Sequence, residues 1–268
     1  MKTFPSVLIL VCVIGLSACK EELIPIPAGL LVDQISSAET GDDYLLRIHV
    51  PADYEVSQLS YPVLYQLDGE TTTGSVLKSY QELVNQEAIE ELIIVSIDYV
   101  HDNKRTRDYT PTTLDQFDES GGAHAFSQFL DLELIPYIDQ NYRTTSSNTL
   151  RGHSLGGLFA SYALFTSSTL SRPFESYIIE SPSWWWDDNF VIGQEYAYSE
   201  QHSALNAHVY FSVGEYEPAS MKGPFELIRD RMLQRNYDGL RATFEILPDQ
   251  DHLDVRENHK GLLEIFGK

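Results

Sequence analysis

Asn148-Thr149-Leu150-Arg151-Gly152-His153-Ser154-Leu155-Gly156-Gly157 is the stretch on which the reading of this chain turns. Its centre, Gly152-His153-Ser154-Leu155-Gly156, has the Gly-x-Ser-x-Gly pattern of a sharp strand-to-helix turn that lifts one serine hydroxyl clear of a sheet. Glycines suit it because the turn is strained and bulkier side chains would strike neighbouring backbone. Ordinary glycine and serine frequencies produce the bare pattern in roughly one random chain in ten of this length. The flanks lower that figure. Leu150 ends a short strand, and Leu155, Leu158, Phe159, Tyr162, Ala163 and Phe165 continue as an apolar helix. Ser154 is therefore the candidate nucleophile.

Outward from the turn, compact apolar runs at Pro62 to Leu67 and Leu92 to Ile97 have the character of strands buried on both faces. Further strands are expected at Ser176 to Ile179, His208 to Val213 and Ala242 to Leu247, and Tyr44 to Val50 alternates like an antiparallel edge strand. Helical patterns lie between them, at about 75–86, 123–140, 155–165, 224–235 and 257–266. Alternation of this kind predicts an α/β fold, a mainly parallel central sheet with helices on both faces. Active sites in such sheets form on loops at the carboxyl ends of the strands, which is where Ser154 falls. The long polar loop Tyr99 to Gly122 is expected to face substrate.

A serine hydroxyl needs a neighbouring base, itself oriented by a carboxylate. His252 follows the last strand in Leu247-Pro248-Asp249-Gln250-Asp251-His252. His49 and His208 fall inside strands, while His101, His124 and His153 precede or adjoin the serine. His202 sits before the penultimate strand, and His259 on the final helix. His252 is the candidate base. Glu215 and Glu217 both follow the strand ending at Val213, and Glu217 is preferred; Glu180 and Asp187 are the other acids in reach. Asp249 and Asp251 read as loop caps. Two backbone donors must stabilise the oxyanion, and the N–H groups of Leu155 and Glu70 are expected to supply them.

Six segments carry a family likeness in order: Leu64-Tyr65-Gln66-Leu67-Asp68-Gly69, Arg107-Asp108-Tyr109-Thr110-Pro111, the elbow from Gly152 to Ala160, Ser181-Pro182-Ser183-Trp184-Trp185, Val213-Gly214-Glu215-Tyr216-Glu217, and His252. Together they resemble the esterase D-like family of α/β hydrolases, and most nearly its enterochelin-type siderophore esterases. The likeness covers roughly residues 40 to 265. It implies the α/β-hydrolase fold and a serine esterase acting on carboxylic esters, with a siderophore or carbohydrate-linked acyl ester as substrate. It also places the acid three residues after Gly214, at Glu217. An acyltransferase using the same residues, and a non-catalytic surface binding protein on a hydrolase fold, are the rival readings. Arg107, Tyr109, Trp184 and Trp185 are expected to contact substrate; Arg105 and Arg107 would otherwise pair with Asp102 and Asp108.

The N-terminus reads as an address. Lys2 precedes the apolar run Val7 to Leu16, too short to span a bilayer, and Leu16-Ser17-Ala18-Cys19 resembles a bacterial lipoprotein box. Residues 1–18 are read as a signal peptide, 19–38 as a lipidated start and tether, and 39–268 as one hydrolase domain. Cys19 would carry the lipid and be the sole membrane anchor; each buried methylene adds about 0.8 kcal/mol to anchoring. Lys20-Glu21-Glu22 resembles an outer-surface sorting signal, so the expected location is the cell envelope of a bacterium. The net charge of −22 disfavours nucleic acid and highly anionic ligands. No metal or cofactor is expected: there is no His-Glu-x-x-His, no phosphate-binding glycine loop followed by lysine, and no cysteine pair beyond Cys12 and Cys19.

Overall fold

A computed structural model describes residues 30–166 and 173–268. The signal peptide, Cys19 and the residues of the tether before Leu30 lie outside the described residues.

Eight strands form one sheet in the order β1-β2-β4-β3-β5-β6-β7-β8. They are β1 Leu30–Ser36, β2 Asp43–His49, β3 Tyr61–Gln66, β4 Ile93–Tyr99, β5 Thr144–His153, β6 Ser176–Glu180, β7 Ala204–Gly214 and β8 Asp238–Leu247. From β4 through β3 to β8 every pairing is parallel, while β2 runs antiparallel to both β1 and β4. The helices are α1 Gly69–Asn85, α2 Arg105–Tyr109, α3 Ala123–Gln128, α4 Ile135–Asn141, α5 Leu155–Thr166, α6 Trp186–Gln201, α7 Ala219–Arg235, α8 His252–Glu257 and α9 Lys260–Phe266. None of the described helices is long and apolar enough to cross a membrane.

The apolar runs of the central strands serve two cores. Val63, Tyr65, Val95, Ile179 and Phe211 point to one face and pack with α5, α6 and α7, whereas Leu64, Ile94, Ile178 and Tyr210 point to the other and meet α1 and α9. Successive strand side chains alternate in direction, so a strand covered on both sides is mainly apolar on both of its faces. Each such side chain contributes about 1.5–3 kcal/mol by leaving water.

Four expectations are corrected. Residues 30–36, assigned to the tether, pair with β2 as the outer strand, so β2 is not the edge. Helix α6 was not foreseen. The helix expected over 123–140 is interrupted by a π turn, Phe129–Leu134, before Pro136 at the start of α4; proline lacks the N–H that a regular α-turn needs. The helix expected over 257–266 begins at Lys260 as α9, and the residues before it, expected as loop, form the short helix α8, His252–Glu257.

Candidate active site

The chain leaves β3 to add β4 on one side and then β5 on the other, so the strand order reverses between β3 and β5. Crevices beyond the carboxyl ends of such strands bind ligands. A cleft of about 250 Å³ lies there, lined by Asp68, Glu70, Arg105, Ser154, His252 and Arg256 among others. Tyr99, Asn103 and Arg105 of the long polar loop also line it.

Ser154 sits between β5 and α5 with φ of 59°, a left-handed conformation that a side chain rarely adopts. Its N–H donates to the Glu180 carbonyl at 3.0 Å, and its own carbonyl accepts from Leu158 N–H at 2.9 Å and Ser183 N–H at 3.0 Å. Gly152 is sterically required and Gly157 is tightly placed. A Cβ on Gly152 would lie 2.2 Å from the Gly156 oxygen, and one on Gly157 would press on Glu180 and Pro182 at 3.0 Å. The Ser154 hydroxyl lies 3.3 Å from that of Ser183.

His252 opens α8, where Asp251 caps the helix by accepting from the N–H groups of Leu253 and Asp254 at 2.8 and 3.0 Å. The capping reading of Asp251 therefore holds. The approach of this turn to β7 needs Gly214, whose Cβ would lie 2.5 Å from the Gln250 oxygen. Glu217 Oε2 is 2.9 Å from His252 Nδ1. Its Oε1 accepts from the Gly214 N–H at 2.9 Å and from the Ser181 hydroxyl. Burial pushes the Glu217 carboxyl up, but hydrogen bonds from His252, Ser181 and Gly214 outweigh it, and the group titrates below its ordinary value. Glu215 instead accepts from Asp249 N–H at the exposed rim. Glu180 is fully buried against Arg151, at 3.0 and 3.2 Å, and Arg151 donates onward to the carbonyls of Arg256 and Asn258. That pair ties α8 to the sheet.

Leu155 and Glu70 occupy the first turns of α5 and α1. The first N–H groups of a helix have no intrahelical acceptor, so both helices present unused donors at the cleft end. Asp68, also left-handed with φ of 59°, sets the start of α1. Arg105 grips it with two hydrogen bonds of 2.6 and 3.1 Å. Burial raises the Asp68 carboxyl, against the pull of Arg105.

Three of the four substrate contacts expected from sequence are corrected. Arg107 turns away from the cleft to Asp108, at 2.7 Å, and to Asp42. Tyr109 is fully buried, and its hydroxyl accepts from the Asp68 N–H at 3.2 Å. Trp184 is fully buried, stacked on Phe225 and donating to Ser161 at 2.8 Å. Only Trp185 is exposed, at 41 %, and it lines a shallow groove with Asn189, Ile192 and Leu227. Sequence reasoning missed Ser181, Ser183 and His153 as members of the site, although the first two lie in the quoted Ser-Pro-Ser-Trp-Trp segment.

The Putative esterase family profile matches residues 37–230. Among characterised proteins, the ferri-bacillibactin esterase BesA of Bacillus subtilis is 26% identical over 250 residues, 85% of each chain. The siderophore triacetylfusarinine C esterase of Aspergillus fumigatus is 29% identical over 174 residues, 60% of this chain and 59% of that one. Among solved structures, an IroE-like serine hydrolase from Shewanella oneidensis superimposes with a TM-score of 0.81 at 26% identity, covering 88% of this chain and 80% of that one. The mostly parallel sheet with helices on both faces is thus an α/β-hydrolase fold.

Proposed function

Because the chain belongs to this esterase family and is a serine-type carboxylic ester hydrolase, we propose that it cleaves siderophore-type esters through an acyl-enzyme on Ser154. His252 is the base and Glu217 the acid that orients it. The observation that carries this reading is the 2.9 Å contact between Glu217 Oε2 and His252 Nδ1, beside a cleft that Ser154 also lines.

The hydroxyl proton of Ser154 passes to Nε2 of His252 as Oγ bonds to the ester carbonyl carbon. The oxyanion is met by the N–H groups of Leu155 and Glu70; losing one such donor typically costs about 10²–10³ in rate. The imidazolium returns its proton to the departing alkoxide. Water then repeats the sequence on the acyl-enzyme and releases the acid. Glu217 holds Nδ1 protonated and stabilises the imidazolium.

Esterases acting on siderophores recur among the relatives, which supports that substrate class over a carbohydrate-linked ester. Both guanidiniums lining the cleft already face carboxylates, Arg105 with Asp68 and Arg256 with Glu257. A ligand of low negative charge therefore suits the cleft better than a multiply anionic one. The lipoprotein reading of residues 1–19 extends the proposal to an envelope-anchored enzyme, tested by whether Cys19→Ala moves the protein out of the membrane fraction.

The first test compares the full chain with Ser154→Ala on p-nitrophenyl acetate and butyrate. Loss of about 10⁴-fold or more in kcat is expected, and equal rates would overturn the assignment. A panel of iron-free and ferric siderophore esters, feruloyl esters and acetylated sugars then decides the substrate class.

A further inference from the structure

His153, the residue between Gly152 and the serine, has no part in the steps above, yet it is bound at both ends. Its side chain is 6 % exposed. Its Nε2 lies 2.7 Å from the backbone carbonyl of His252, and the two imidazole rings are 4.4 Å apart, inclined by 48°. Its own carbonyl accepts from Arg105, at 3.3 Å, and the same guanidinium grips Asp68. A carbonyl oxygen can only accept, so the hydrogen bond requires a proton on Nε2 of His153.

We propose that His153 is a positioning residue: as a neutral Nε2–H imidazole it fixes the His252 backbone against the nucleophile turn, and through Arg105 it joins both to the Asp68 loop. Three loops that must stay in register thereby meet at one residue, which is the neighbour of the nucleophile in sequence and of the base in space. A shift of about 1 Å between such groups can cost about 10²-fold in rate. Neutrality matters as much as the bond. The imidazolium formed on His252 during each turnover lies against this ring, and a second positive charge there would oppose it. Burial, with His252 alongside, pushes the His153 imidazole down to about 3, consistent with an uncharged ring.

The inference rests on the Ser154–His252 reading, and the test separates the two. In the full chain, His153→Leu removes the donor, whereas His153→Gln places an amide N–H near the former Nε2. His153→Leu is expected to lower kcat about 10- to 100-fold, with KM changed less than about 3-fold, in line with the misplacement effect. His153→Gln is expected to recover most of that loss. The rate of acylation by a fluorophosphonate should follow the same order. If Leu and Gln variants are alike, or both keep parental kcat while Ser154→Ala is inactive, the positioning role fails and the esterase reading stands. If Ser154→Ala is as active as the parent, the underlying reading fails. A measurement on the unaltered protein needs no variant to fold: ¹⁵N-resolved imidazole spectra should show His153 neutral and protonated on Nε2 from pH 5 to 9. An Nδ1–H or doubly protonated ring would overturn the proposal.

Discussion

Glu217 and Asp108 are buried carboxylates, 3 % and 0 % exposed, and each accepts from a hydroxyl and from a nitrogenous side chain. Asp108 holds Arg107 at 2.7 Å and the Tyr44 hydroxyl at 2.7 Å. Glu217 holds His252 at 2.9 Å, the Ser181 hydroxyl and a backbone N–H. Their titration diverges. Burial raises Asp108 despite Tyr44 and Arg107, while Glu217 is drawn below its ordinary value by its hydrogen bonds despite burial. Their partners differ more. Arginine stays charged whatever happens nearby, and that of Arg107 is mostly covered; an imidazole can take up and return a proton, and that of His252 is 36 % exposed to the cleft. A buried acid becomes part of a site through what its partner can reach.

The comparison can be broken most decisively at Glu217. Replacing it by Ala should lower kcat by about 10³- to 10⁴-fold, with KM little changed; a drop of less than tenfold would put the two acids in one class. Asp108→Ala should act on the other axis. It leaves the Arg107 charge without its buried partner, and removal of one member of a buried pair costs about 3–5 kcal/mol. The loss should appear as a lower denaturant midpoint, with kcat per folded molecule kept within about 3-fold. A loss of kcat at unchanged midpoint would make Asp108 a member of the site.

Acid titration sharpens the same contrast. Glu217 titrates below the usual 4.5 in the folded chain, so its stabilisation is complete above that value and is lost as pH falls through the lower one. The advantage in denaturant midpoint of the parent over Glu217→Gln should therefore shrink on acidification from pH 6 to pH 3; a gap that widens would reverse the assigned sign. The smallest effect belongs to Trp185→Ala. Trp185 stands at the N-cap of α6 but makes no side-chain cap hydrogen bond. An exposed side chain outside buried pairs contributes within about 0.5 kcal/mol, and kcat on an acetyl ester should stay within about 2-fold. A tenfold fall in kcat/KM confined to bulky esters would make the indole part of the substrate surface, as its position in the sequence suggests.

The sheet was legible where strands are buried on both faces, because β3 and β4 open with the unbroken apolar runs Tyr61 to Tyr65 and Ile93 to Val95. Strand β1 was not, since a half-exposed outer strand after two prolines looks like a tether. Helix α6 escaped for a different reason. Its buried positions include Glu195, held by Arg235 and the Tyr237 hydroxyl at 2.6 and 3.0 Å, and its first turn contains the left-handed Asp187, Asp188 and Asn189. A buried charge and an irregular start both erase the apolar stripe. In the site, chain order and strand ends were enough to select Ser154, Glu217 and His252 as candidates, and the fold brings Glu217 to His252 and sets His252 and Ser154 in one cleft. Arg107 and Tyr109 were misplaced because their direction depends on one helical turn, α2. Arg105 and Arg107 are two apart in α2, and residues at that spacing do not share a face, so one enters the cleft and the other the Asp108 network.

The left-handed turn at Ser154 has a meaning for the protein's history under heat. A glycine would relieve a conformation that holds roughly 1–3 kcal/mol of strain, yet in the proposed mechanism the side chain at that point must form the acyl bond, which glycine cannot. The fold is thus barred from one of its own stabilising substitutions, and any lineage of this enzyme selected for warmth must gain its margin elsewhere.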